Sequence, residues 1–313
     1  MVPRPIIIDC DPGQDDAVAL FLAMASPDEL NLLGITAVAG NVPLALTELN
    51  SRIMCDVAGR RDIPVFAGCE KPLRREAITA EYVHGKTGID GMDVFEPDTP
   101  LQEQHAVDFI VETLLKADNG PVTLVPTGPL TNIAAALDKR PQIAENIEEI
   151  VIMGGAMREG GNRTPSAEFN IIADPHAADI VFNCGRPIAA FGLDVTHKVL
   201  STEGRVQRIA DLGNSVADAT AGMLSFFHRF DTEKYDSEGT PLHDPCTIAY
   251  LLRPDLFKTK HCNIAIETES ELTMGHTAID FWYVSAREKN ANWAYDVDVD
   301  GFYDLLTERL ARF

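Results

Sequence analysis

At 313 residues, 45% of them hydrophobic, the chain is long enough for a sizeable core in one large α/β domain or two smaller ones. A formal net charge of −22 argues against nucleic-acid backbones and anionic membranes as partners. No apolar run is long enough to span a bilayer, and a first strand this close to Met1 leaves no room for a signal peptide, so a cytoplasmic protein is expected.

Pro5-Ile6-Ile7-Ile8 is too short for a helix and rich in β-branched residues, which predicts a buried strand. Ala17–Ala23 reads as a packed helix, and Pro12-Gly13 makes the turn between the two. Four carboxylates crowd this turn: Asp9, Asp11, Asp15 and Asp16. Asp9 and Asp11 share one face of the strand, because side chains repeat every two residues. Asp15 and Asp16 fall in the first helical turn, where backbone N–H groups favour negative charge. Asp15 could simply cap the helix while Asp9 and Asp16 face solvent. Four converging anions, however, raise one another's pKa and resist burial unless a hard divalent cation, Ca²⁺ or Mg²⁺, resolves the conflict.

Further along, strands are predicted at Leu32–Val38, Val122–Val125, Ile150–Met153 and Ile188–Phe191, and helices at Pro43–Gly59, Ala106–Ala117, Leu130–Lys139 and Pro175–Asn183. This alternation predicts a mostly parallel sheet flanked by helices, in a single domain spanning 1–313. Turns at Gly40-Asn41, Thr127-Gly128-Pro129 and Met153-Gly154-Gly155 would gather beyond the C-terminal strand ends, where open α/β sheets bind ligands. Glu70–Thr99 and Ser225–Leu242 read as long loops at the same rim. The tail from about Asn263 predicts two or three strands and a final helix, Gly301–Arg312.

Three polar groups remain. Asn162, Glu168 and Asn170 surround Phe169 in a segment read as non-helical, a donor–acceptor mixture suited to sugar hydroxyls or to an ordinary polar loop. His243-Asp244-Pro245 opens an apolar helix, Cys246–Leu252. Asp244 there reads as an N-cap, or else His243 reads as an acid beside a metal ligand. His84-Gly85-Lys86-Thr87-Gly88 lacks P-loop spacing and a preceding strand. The six cysteines form no CxxC pair and are expected to be reduced.

Taken in order, Asp9-Cys10-Asp11-Pro12-Gly13-Gln14-Asp15-Asp16-Ala17, Gly40-Asn41, His84-Gly85, Thr127 to Asn132, Met153-Gly154-Gly155, Glu168-Phe169-Asn170, Ala173-Asp174-Pro175 and His243-Asp244-Pro245 resemble the inosine-uridine-preferring nucleoside hydrolases. The resemblance implies a Rossmann-like mixed sheet, a homodimer or homotetramer, and a role in nucleoside catabolism and salvage. It implies one Ca²⁺ per subunit held by Asp11, Asp15, the Thr127 carbonyl and Asp244. Ribonucleoside contacts would come from Asp15, Asn41, His84, Met153, Asn162, Glu168, Phe169, Asn170 and Asp244, with Tyr235 matched to a base-contacting aromatic.

Cleaving an N-glycosidic bond passes through an oxocarbenium-like state, so a water must be activated, the ribose held and the base protonated. Asp11 suits the first task and His243 the last. Two other readings compete. A haloacid-dehalogenase-type phosphatase would use Asp9 as phosphoryl acceptor, although Pro12-Gly13 and the absence of its later motifs count against it. A catalytically silent nucleoside or sugar receptor would keep the metal site.

Overall fold

The computed structural model describes residues 2–116, 120–235 and 238–313, with the backbone alone for 228–235. Strands in chain order are β1 (Arg4–Cys10), β2 (Leu30–Ala37), β3 (Val65–Ala67), β4 (Leu101–Gln102), β5 (Val122–Pro126), β6 (Ile147–Met153), β7 (Ile188–Phe191), β8 (Leu200–Thr202), β9 (Gly239–Pro241), β10 (Phe257–Cys262), β11 (Ile264–Ile266), β12 (Thr277–Ile279) and β13 (Ala291–Val297). Helices are α1 (Gln14–Met24), α2 (Leu44–Val57), α3 (Glu81–His84), α4 (Ala106–Leu115), α5 (Thr131–Lys139), α6 (Phe169–Ala173), α7 (Pro175–Phe182), α8 (Leu193–Thr196), α9 (Glu203–Ala210), α10 (Ser215–Tyr235), α11 (Pro245–Leu252) and α12 (Val299–Leu310).

Among the described residues, nine strands form one sheet in the order β10-β13-β7-β6-β5-β1-β2-β3-β4. Only the β10–β13 pair at one edge is antiparallel, so the sheet is mixed and mostly parallel, as expected. Alternation along β1 divides the core. Ile6 and Ile8 pack into a cluster with α1, α2, α11 and α12, whereas Ile7 joins α4, α5 and α7 on the opposite face. Strand β1 lies between β2 and β5, at the point where chain order runs outward in both directions. The loops leaving β1, β2, β5 and β6 therefore meet at one end of the sheet. Helix α1 is buried along its whole length.

Two expectations are corrected. Ser225–Leu242 is not one loop: α10 runs through to Tyr235, and its buried positions Val216, Ala217, Thr220, Met223, Leu224 and Phe227 carry a helical spacing into this segment. The segment ending at Asn170 is not wholly irregular either, since α6 begins at Phe169 with Glu168 as its N-cap. The tail has the predicted strands β11, β12 and β13 and final helix, which starts two residues earlier than expected. The short or edge strands β3, β4, β8, β9 and β10 went unread. No described helix is long and apolar enough to cross a membrane, and all six cysteines are free.

Candidate active site

The aspartate turn sits where β1 ends and α1 begins, and it is packed from every side. Asp11 Oδ2 accepts a hydrogen bond from the backbone N–H of Asn41 at 2.6 Å, and the Asn41 side chain donates back to the Asp11 carbonyl at 3.0 Å. A Cβ on residue 128 would stand 2.3 Å from Asp11 Oδ1, so the β5 loop can approach this close only with glycine there. Asp11 Oδ1 is buried and has no hydrogen-bond partner among the described residues.

Asp16, absent from the ligand set implied by the resemblance, lies at the centre. Its Oδ2 accepts from the Gly13 N–H at 3.0 Å and from Asn41 Nδ2 at 3.3 Å, while Oδ1 accepts from the Thr127 hydroxyl at 2.7 Å. The carboxylates of Asp15, Asp16 and Asp244 come within 4.8 Å of one another. Asp244 occupies the N-cap position of α11, yet its side chain makes no capping hydrogen bond. The carboxylate is directed to the cluster instead.

Such crowding is costly without a counter-charge. Burial and the neighbouring Asp16 push Asp15 up to about 7. Burial, with repulsion from the other aspartates, drives Asp11 and Asp244 well above the usual carboxylate range. An all-oxygen, multiply anionic set with one unpartnered oxygen fits a hard divalent cation. Asp9 belongs elsewhere: it is fully buried and accepts from Thr36 Oγ1 at 2.5 Å and Asn132 Nδ2 at 2.8 Å. It does not line the cavity, which removes the phosphoryl acceptor that the phosphatase reading requires.

Above the cluster opens a cavity of about 590 Å³. Its lining includes Asp15, Asn41, His84, Thr127, Met153, Asn162, Glu168, Phe169, Asn170, His243 and Asp244, so the expected residues do meet. Asp11 and Asp16 lie beneath. Asn170 Nδ2 donates to the Thr127 carbonyl at 2.6 Å and to the Met153 carbonyl at 3.2 Å, leaving its Oδ1 for a ligand. Glu168 caps α6, accepting from the Asn170, Ile171 and Gly155 N–H groups, and burial raises its carboxyl to about 7. Asn162 Oδ1 accepts from the Phe169 N–H at 2.9 Å. The Tyr235 side chain lies outside the described residues.

His243 Nδ1 is 2.8 Å from the Thr196 hydroxyl, and its ring centroid is 5.8 Å from that of His197. Burial, then the imidazoles of His197 and His84, hold its pKa down at about 3. The ring is therefore a neutral imidazole. Thr196, His197 and Phe227 escaped the sequence reading because each sits in an apolar or helical context that signals packing alone.

A family model described as inosine-uridine preferring nucleoside hydrolase matches residues 6–304. A pyrimidine-specific ribonucleoside hydrolase, RihA, from Photobacterium profundum is 48% identical over 311 residues, covering 99% of each chain. Among solved structures, a plant nucleoside hydrolase superposes with a TM-score of 0.91 at 32% identity, covering 99% of each chain. A purine-preferring ribonucleoside hydrolase from Gardnerella vaginalis gives a TM-score of 0.91 at 33% identity, covering 98% of each. By family match, whole-length identity and fold alike, this chain belongs to the inosine-uridine preferring nucleoside hydrolases, enzymes that hydrolyse N-glycosyl compounds.

Proposed function

We propose that this nucleoside hydrolase, acting as one domain over residues 1–313, releases ribose and free base from ribonucleosides, with pyrimidine ribonucleosides such as uridine among its substrates. Above all, the reading is supported by three buried carboxylates within 4.8 Å of one another at the floor of a cavity walled by amides, carboxylates and imidazoles. The pyrimidine assignment draws on the whole-length identity to a pyrimidine-specific relative.

Asp15, Asp16 and Asp244, with Asp11 and the Thr127 carbonyl beside them, would hold one Ca²⁺ per subunit. When bound, such a cation supplies Lewis acidity toward a water and the ribose diol. Asp11, at the edge of this cluster, would take the proton of the attacking water as the water oxygen bonds to C1′. Asn41, Asn162, Glu168 and Asn170 hold the sugar while it gains oxocarbenium character, and the buried carboxylates oppose that positive charge. His243, neutral at rest, takes up a proton from solvent and passes it to the departing base nitrogen as the C1′–N bond breaks, returning to the neutral imidazole. Six free cysteines suit the reducing cytoplasm. The exposed turn Trp282-Tyr283-Val284 offers a face for a homodimer or homotetramer.

Incubating the purified protein with uridine, inosine and p-nitrophenyl phosphate tests the reading. Ribose release from a nucleoside is expected. Phosphate release without ribose, or binding without either product, overturns it.

A further inference from the structure

Gln14 is fully buried in the first turn of α1 and reaches across to the segment that follows α3. Its Nε2 donates to the His84 carbonyl at 2.9 Å and to the Asp90 carbonyl at 3.2 Å. Both partners only accept, so the amide has one workable orientation: reversed, its oxygen would face two carbonyl oxygens. Gln14 Oε1 therefore stands 2.7 Å from His84 Nδ1. An amide oxygen cannot donate, so the proton of this contact resides on Nδ1.

The ring is held there tightly. A Cβ on residue 13 would lie 2.5 Å from His84 Nδ1, so the imidazole rests directly on the Pro12-Gly13 turn. Phe227 stacks on the ring, with centroids 5.3 Å apart and planes inclined by 28°. Burial lowers the His84 pKa to about 4, so the ring is neutral at ordinary pH. A neutral imidazole protonated at Nδ1 carries a bare lone pair on Nε2. That nitrogen is neither sealed in the core nor hydrogen-bonded to any described residue, and the side chain lines the cavity.

The surroundings say what this acceptor would meet. Tyr82, Val83 and Phe227 line the cavity with His84 and give it aromatic and apolar surface suited to a planar ring. The sugar candidates Glu168 and Asn170 belong to a different wall, built from α6. A hydrogen-bond acceptor in a wall for planar rings reads a ring N–H.

We propose that Gln14 is a positioning residue that locks His84 in its Nδ1–H tautomer, so that His84 Nε2 accepts a hydrogen bond from an edge N–H of the nucleobase, such as N3–H of uracil or N1–H of hypoxanthine. The identity of the ligand rests on the ribonucleoside reading above, whereas the lock does not.

Two measurements on the full-length protein decide it. In protein labelled with ¹⁵N-histidine, with His84 assigned by its loss in His84→Phe, Nδ1 should carry the proton and Nε2 should be bare. Gln14→Met should shift the ring towards the Nε2–H form. In the wild type, uridine should exceed 3-methyluridine by roughly tenfold or more in kcat/KM, and Gln14→Met should shrink that ratio. A wild-type His84 protonated at Nε2 overturns the lock without recourse to any variant, and equal handling of uridine and 3-methyluridine overturns the recognition. If no nucleoside is cleaved, the hydrolase reading fails. The His84 spectrum then still decides the lock, and the binding affinities of the same substrate pair decide the ligand.

Discussion

Thr196 holds its hydroxyl 2.8 Å from Nδ1 of His243, at the end of α8 and just ahead of α11 respectively. Replacing the hydroxyl by a methyl group in Thr196→Val leaves the shape nearly intact and frees the ring to turn. Turnover of uridine and inosine should fall by about tenfold, the worth of one well-placed hydrogen bond. p-Nitrophenyl riboside, whose leaving group needs no proton, should react at close to the wild-type rate. Equal losses on all three would mean that Thr196 supports the sugar or metal site.

His243→Ala removes the proton donor itself. A general acid is worth about 10²- to 10⁴-fold, so kcat for inosine should fall within that range with KM little changed. Uridine should lose less, since uracil can leave with its charge spread over the ring carbonyls. Steady-state kinetics on both substrates measure the difference.

Two aspartates of the cluster should respond differently to the same change of charge. Asp16 accepts from the Gly13 N–H and the Thr127 hydroxyl, whereas Asp244 makes no capping bond. Asp16→Asn should lose bound metal and about 1 kcal/mol or more of stability besides. Asp244→Asn should also lose metal, but leave the metal-free protein no less stable. Metal analysis and calorimetry of the chelated proteins check the two outcomes.

Chelation should have a signature in pH. Burial first, then Asp16, raises the Asp15 carboxyl to about 7. A carboxyl whose pKa is raised by folding binds its proton more tightly in the folded chain. Its contribution is complete below the unfolded value and is lost as pH climbs to about 7. The fall in Tm on adding a chelator should therefore be larger at about pH 7.5 than at about pH 5. Thermal scans with and without chelator give the difference, and a gap that narrows with rising pH would contradict a cation held by these groups.

Much of the site was legible because its signals are local. A Pro-Gly turn with two aspartates on each side marks a strand–helix junction, and the polar turns at Asn41, Thr127 and Met153 each end a recognisable strand. Spacing could not say how the two adjacent aspartates divide their work. Asp15 lines the cavity while Asp16 turns inward to Gly13 and Thr127, a distinction set by the tilt of one helical turn and by a loop 111 residues away. Asp244 looked like a cap because its sequence context is that of a cap; only the missing hydrogen bond tells otherwise. The second half of α10, from Ser225, reads as loop because it mixes acidic and aromatic residues, whereas the buried positions that mark the helix run from Val216 to Phe227. Gln14 carried no signal, since its partners are backbone carbonyls at residues 84 and 90.

The burial of α1 on all sides has a consequence for how such an enzyme can diversify. The turn that carries the aspartates is continuous with the protein's interior, so altering it disturbs packing on several neighbours at once. Tyr82, Val83 and the Gly160–Asn162 loop belong to a short helix and a loop at the rim, whose changes stay local. A change in substrate preference is therefore easier to reach through these rim segments than through the floor.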